Sequence, residues 1–104
     1  MKDTSPLMKD TSSENESLFL FAEMGAAPKI DLHGMFVEQA LQELDQFLHH
    51  AFIEKDQIVT IIHGCGTGAL QKAVHTHLST IPFVREYRLS ERSLGVTQVI
   101  FALS

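Results

Sequence analysis

An α/β fold of β-α-β-α-β-β order follows from three features of the sequence downstream of Lys29. Two stretches, Val37–Ile53 and Ala69–Ile81, carry apolar residues at the three-and-four spacing of a helix with one buried face. Four shorter stretches rich in β-branched and aromatic residues surround them. The helical stretches lie between strands, an order that makes parallel crossovers and puts both helices on one face of the sheet. The simplest packing is a two-layer α/β sandwich with a four-stranded sheet.

The elements follow in order. Lys29–His33 reads as a strand, with Ile30 and Leu32 on one face and Asp31 and His33 on the other. Gly34 ends it. The first helix buries Val37, Ala40, Leu41, Leu44, Phe47, Leu48 and Ala51, and turns Glu38, Glu43 and Asp45 to solvent. Gln57–Ile62 is a buried strand, and His63–Gly68 a glycine-rich turn. The second helix turns Leu70, Ala73, Val74, Leu78 and Ile81 inward, and Pro82 stops it. Phe83–Leu89 alternates as a third strand, and Arg92–Gly95 turns the chain. Val96–Leu103 is apolar on both faces, which suits an interior strand.

Residues 1–28 read as a tail and 29–104 as the domain. Residues 1–17 are polar, rich in Ser, Thr and acids, and are expected to be disordered. The pentapeptide Met1–Ser5 recurs at Met8–Ser12, too short a repeat to build a unit. Leu18–Met24 is a short apolar patch, expected to dock on the domain and cover open core surface; a partner contact is the alternative. Gly25–Pro28 breaks the chain before the first strand.

The chain has 104 residues, enough for one core, and an ordinary apolar fraction of 44%. Its one cysteine, Cys65, excludes an internal disulfide. No stretch approaches the ~20 apolar residues that span a bilayer, and the start lacks a secretory profile. A cytoplasmic location is expected. The formal net charge is −5, and the part after Pro28 has six Lys or Arg against eight Asp or Glu. A polyanion would not be gripped by bulk charge, which normally needs a basic patch. Phosphate contacts must be local.

Chemistry converges where strands end. Asp31 and His33 stand on one face at the carboxyl end of the first strand, and His63 at the carboxyl end of the second. Ligands of open α/β sheets bind at such ends. The loop Gly64-Cys65-Gly66-Thr67-Gly68 runs straight into a helix N-terminus, whose amides and partial positive charge suit a phosphate. An imidazole can take a proton from an attacking hydroxyl and return one to a leaving oxygen. Asp31 can fix a histidine tautomer, or can share a divalent cation such as Mg²⁺ or Mn²⁺ with His33.

The segments Ile30-Asp31-Leu32-His33-Gly34 and Ile62 through Leu70, some 30 residues apart, resemble the LDLHG and IHGxGxGxL motifs of the Smr (small MutS-related) domain family. Gly95-Val96-Thr97 before an apolar strand is similar to the family's closing segment. The resemblance spans about Lys29–Leu103. It implies a fold like the C-terminal domain of translation initiation factor three, with sheet order 1-2-4-3. It also implies DNA nicking or RNA cleavage, including of messages on stalled ribosomes. Asp31, His33 and His63 would be catalytic. Gly64, Gly66, Thr67, Gly68, Gln71 and Lys72 would hold phosphate. Three positions depart from the pattern: Phe36 replaces a Ser or Thr, Gln71 a frequent Arg, and Ser93-Leu94-Gly95 a glycine pair. Phe36 is expected to pack, with stacking beside the site as the alternative.

The other candidates have plainer readings. His49, His50 and His75 are expected on exposed helix positions, and His77 at the core edge. Cys65 is not expected to act as a nucleophile, and Arg85, Arg88 and Arg92 read as a solvated edge. Three functions compete: an endonuclease acting on DNA or RNA; a module that binds structured nucleic acid or ribosome-associated RNA without cleaving it; and a nucleotide-binding half-domain using Gly64-x-Gly66-x-x-Ala69. The last ranks lowest, because the chain is too short for a second half and Glu91 is poorly placed for a ribose.

Overall fold

The computed structural model describes residues 11–102, with side chains from Glu14 onward. The elements are α1 (Thr11–Glu23), β1 (Lys29–Asp31), α2 (Val37–Ile53), β2 (Ile58–Ile62), α3 (Ala69–Leu78), β3 (Val84–Leu89) and β4 (Val96–Phe101). The sheet order is β1-β2-β4-β3, with β1 parallel to β2 and β4 antiparallel to both its neighbours. The antiparallel β4 therefore sits inside the sheet, as its two apolar faces require.

Helices α2 and α3 cover one face. Ala40, Leu44, Leu48 and Ala51 of α2 and Val74 and Leu78 of α3 bury against Leu32, Val59, Ile61, Val99 and Phe101. The period-two alternation of β2 and β4 sends Ile58 and Ile100 to the other face, where they meet Phe19, Ala22 and Ala27 in a second cluster. Leu18–Met24 thus docks on the sheet, but as the end of a helix that begins at Thr11. The helix extends into the stretch expected to be disordered; residues 1–10 lie outside the described part.

The disordered reading of 11–17 missed long-range polar anchors. The Arg88 guanidinium donates to both carboxylate oxygens of Glu16, each at 3.1 Å, and lies 3.6 Å from the centre of the Phe19 ring. Asn15 Nδ2 donates to Glu86 at 2.6 Å. Glu23 accepts from the Ser90 hydroxyl at 2.7 Å and the Glu91 amide at 3.0 Å. Each partner comes from β3 or just after it, some seventy positions away, beyond any local pattern. Arg88 is spent on α1 and does not join a basic strip with Arg85 and Arg92.

Strand β1 stops at Asp31, two residues short of the expectation, because His33 and Gly34 turn. One more bond, Leu32 N–H to Ile62 O at 2.7 Å, ties the turn to β2. Helix α3 ends at Leu78 rather than Ile81, capped by the Ser79 and Thr80 amides on His75 and His77 carbonyls.

Candidate nucleic-acid interface

The turn after β1 builds a compact pair. Asp31 Oδ1 accepts from the His33 backbone amide at 3.0 Å and from the His33 ring Nδ1 at 2.6 Å. A carboxylate only accepts, so the proton sits on Nδ1 and a neutral His33 offers the lone pair of Nε2 outward. The ring and backbone hydrogen bonds from His33, in that order, hold the Asp31 carboxyl below the usual carboxylate range. Both side chains are exposed, 67% for His33 and 52% for Asp31. The pair is accessible to a substrate.

His63 is elsewhere. Register pairs Asp31 with Ile62 in parallel strands, so alternation places His63 on the opposite face, under α3. It is 4% exposed. Its Nδ1 bonds the Gly64 carbonyl at 2.9 Å, and its Nε2 bonds Thr97 Oγ1 at 2.8 Å. His75 Nε2 bonds the same hydroxyl at 2.7 Å. One arrangement satisfies every group: His75 donates to Thr97, Thr97 to His63, and His63 to Gly64 O. The three residues come to one edge of the sheet as expected, with His63 on the opposite face from Asp31. Nor is His75 an ordinary surface residue. Burial first, and the neighbouring His63 second, push its imidazole below the usual value. His77 does sit at the core edge, bonding Asp45 at 2.6 Å.

The glycine loop lies against the pair. A Cβ on Gly64 would come within 3.2 Å of the His33 Cβ. A Cβ on Gly95 would meet the Gly64 carbonyl carbon at 2.7 Å, and Gly95 has φ of +75°. Its carbonyl accepts from the amides of both His63 and Gly64, at 2.9 and 3.0 Å. Gly95, Gly64 and His33 therefore form a tight stack that fixes the distance between loop and pair. The signal for Gly95 was a glycine just before a buried strand, legible as a turn but not as a contact with the loop.

Loop and turn enclose a cleft of about 500 Å³. His33, Gly34 and Phe36 line one side, and His63, Gly64 through Gly68 and Gln71 the other; among the described residues no Lys or Arg borders it. At the entry to α3, Thr67 Oγ1 accepts the Ala69 amide at 3.2 Å. The next amides, of Leu70 and Gln71, lack intrahelical acceptors as in any first turn. Lys72 is exposed but does not border the cleft. Cys65 is exposed within the loop. Phe36 does not pack: it occupies the N-cap of α2, makes no cap bond and is 85% exposed.

Among the described residues no three His, Cys, Asp or Glu side chains gather as a metal site. Asp31 and His33 are two donors already bonded to one another, a poor match to a resident ion's cage.

The chain is a mixed α/β domain: α2 and α3 cover one face of a four-stranded sheet and α1 packs on the other, so the expected two layers gain a third element. A carboxylate–histidine pair stands beside a glycine-rich loop. The family model for the Smr domain matches residues 30–103, and the chain belongs to that family. It is 37% identical over 94 residues to the endonuclease MutS2 of Lachnoclostridium phytofermentans, covering 88% of this chain and 12% of that one. It is 49% identical over 72 residues to the MutS2 of Staphylococcus epidermidis, covering 66% and 9%. The chain thus spans about a tenth of the length of these relatives. The crystal structure of the Smr domain of Thermus thermophilus MutS2 superposes with a TM-score of 0.70 at 32% identity, covering 72% of this chain and 98% of that one. YdaL, a stand-alone small MutS-related protein from Escherichia coli, superposes with a TM-score of 0.66 at 21% identity over 70% of this chain and 63% of that one, a likeness of fold. No described helix is long and apolar enough to cross a membrane.

Proposed function

We propose that this Smr domain cleaves phosphodiester bonds in nucleic acid, with His33 as general base and Asp31 as the group that orients it. The observation that carries this reading is the 2.6 Å bond from His33 Nδ1 to Asp31 Oδ1 in an exposed pair beside the glycine loop. Asp31 selects the tautomer that leaves Nε2 basic, and its charge stabilises the imidazolium formed when Nε2 takes a proton from water or a ribose hydroxyl. The amides of the 64–68 loop and the start of α3 receive the phosphate, where negative charge develops. His63 acts as a holder: both its ring nitrogens are bonded, and it fixes the Gly64 carbonyl and so the loop. The endonuclease names of the MutS2 relatives support the assignment. DNA and RNA are both candidate substrates, ribosome-associated RNA among them, and a cytoplasmic location fits either.

One observation favours a second reading, a module that binds without cleaving. Among the described residues the cleft has Gln71 and no Lys or Arg where a transition state gathers charge. The test offers supercoiled plasmid, single-stranded RNA and structured RNA to the wild type and to a variant carrying both Asp31→Ala and His33→Ala, with Mg²⁺, with Mn²⁺ and with EDTA. Cleavage that survives EDTA and vanishes in the variant supports the nuclease. Binding without cleavage selects the second reading, and dependence on an added cation returns Asp31 and His33 to the role of metal ligands.

A further inference from the structure

Phe36 breaks two local rules at once. It takes a helix N-cap, where Ser, Thr, Asp or Asn would bond a free amide, and makes no such bond. It also leaves its aromatic ring 85% exposed, while its neighbour Met35 packs against the core. The fold gains neither a cap nor burial from it, and such local violations gather at functional positions. Its place is the wall of the cleft that holds His33 and the glycine loop.

The charge balance says what that ring is for. The chain carries −5, and among the described residues no Lys or Arg borders the cleft. Duplex binding by phosphate neutralisation has little to work with here. Backbone amides can hold one phosphate, but holding a strand needs another source of affinity. Stacking on an exposed aromatic supplies one, because every base has a π-face and the contact needs no charge. A base is free to stack only where the strand is unpaired.

We propose that Phe36 is a stacking platform for an unpaired nucleobase next to the phosphate held by the 64–68 loop, so that the domain acts on single-stranded or locally melted nucleic acid. This rests on the nucleic-acid reading above and adds the class of substrate. DNA and RNA share the chemistry; the 2′-hydroxyl does not enter the stack.

The test measures binding of a short labelled single strand, as DNA and as RNA, and of the matching duplex. The proteins are wild type, Phe36→Ala, Phe36→Leu and Phe36→Trp, whose folding is checked by melting. Wild type is expected to prefer the single strand, with affinity that survives raised salt. Phe36→Ala is expected to weaken that binding about tenfold, Phe36→Leu similarly, and Phe36→Trp to restore it. Quenching of a 2-aminopurine base in the strand should be lost in Phe36→Ala. Equal binding by wild type and Phe36→Ala, rescue by Leu, or a preference for duplex overturns the platform while leaving the nucleic-acid reading intact. Binding of neither strand nor duplex by wild type overturns both. The DNA and RNA arms show which strand the platform serves.

Discussion

Gly95 and Thr97 brace the site from outside the cleft lining. Gly95 has a positive φ and no room for a Cβ, because Gly64 backbone lies 2.7 Å from where it would be. Gly95→Ala must open the stack or strain it, costing about 2–3 kcal/mol, on the order of 10 °C in Tm for a domain of this size. Thermal melting checks this, and a Gly64→Ala variant should also disturb the His33 ring resonances. Thr97 gives one hydroxyl to two imidazoles. Thr97→Val leaves both nitrogens without their partner in a buried place and should cost about 2 kcal/mol in urea unfolding. Nitrogen chemical shifts of the His63 ring should move at Nε2, which loses its partner, while Nδ1 stays bonded to the Gly64 carbonyl. The motif histidine at 63 was legible, but its burial was not. A strand-end histidine points to either face depending on one residue of register, and its partners, Thr97 and His75, lie on other elements. The Asp31/His33 pair was legible because both members share one short turn.

At the scale of elements, α1 is the part local patterns describe least. Its sequence carries polar residues up to Ser17, and isolated helices of this length are marginal in water. It is held by tertiary contacts: Phe19 seated at 1% exposure on Ile58 and Ile100, and three polar anchors to β3 and the turn after it. Phe19→Ala removes the anchor and the surface under Arg88. It is expected to lose about 3 kcal/mol and to speed hydrogen exchange along α1 before the rest of the domain. Breaking only the exposed Glu16–Arg88 bridge, with Glu16→Gln, should leave the urea midpoint nearly unchanged, because solvent screens an exposed pair. The strands and two later helices were readable because their apolar period is set by one continuous core. Sheet order came from the motif resemblance, and the doubly apolar β4 agrees with it. Element ends shifted where a turn, as at His33–Gly34, or a C-cap, as at Ser79, ended them early.

Across the whole molecule, acid should act through His75 among other groups. Burial and His63 keep its imidazole neutral in the folded state below its ordinary range. The unfolded chain binds that proton near pH 6.5. Unfolding therefore takes up a proton as pH falls below about 6.5, and stability drops from there down to the folded-state value; above that pH His75 contributes no slope. Urea midpoints between pH 8 and pH 5 check the sign, and His75→Gln should flatten the acidic limb. The net charge is −5, and among the described residues no Lys or Arg borders the cleft.

In the proposed function, exposed His33, oriented by Asp31, does the chemistry while buried His63 holds the loop. Single-turnover cleavage of the preferred substrate by wild type and His33→Gln, in EDTA and at saturating protein, separates these roles. His33→Gln should bind as the wild type does and cleave at least about a hundredfold more slowly, the usual weight of a general base. Cleavage by His33→Gln at the wild-type rate would remove His33 from the chemistry.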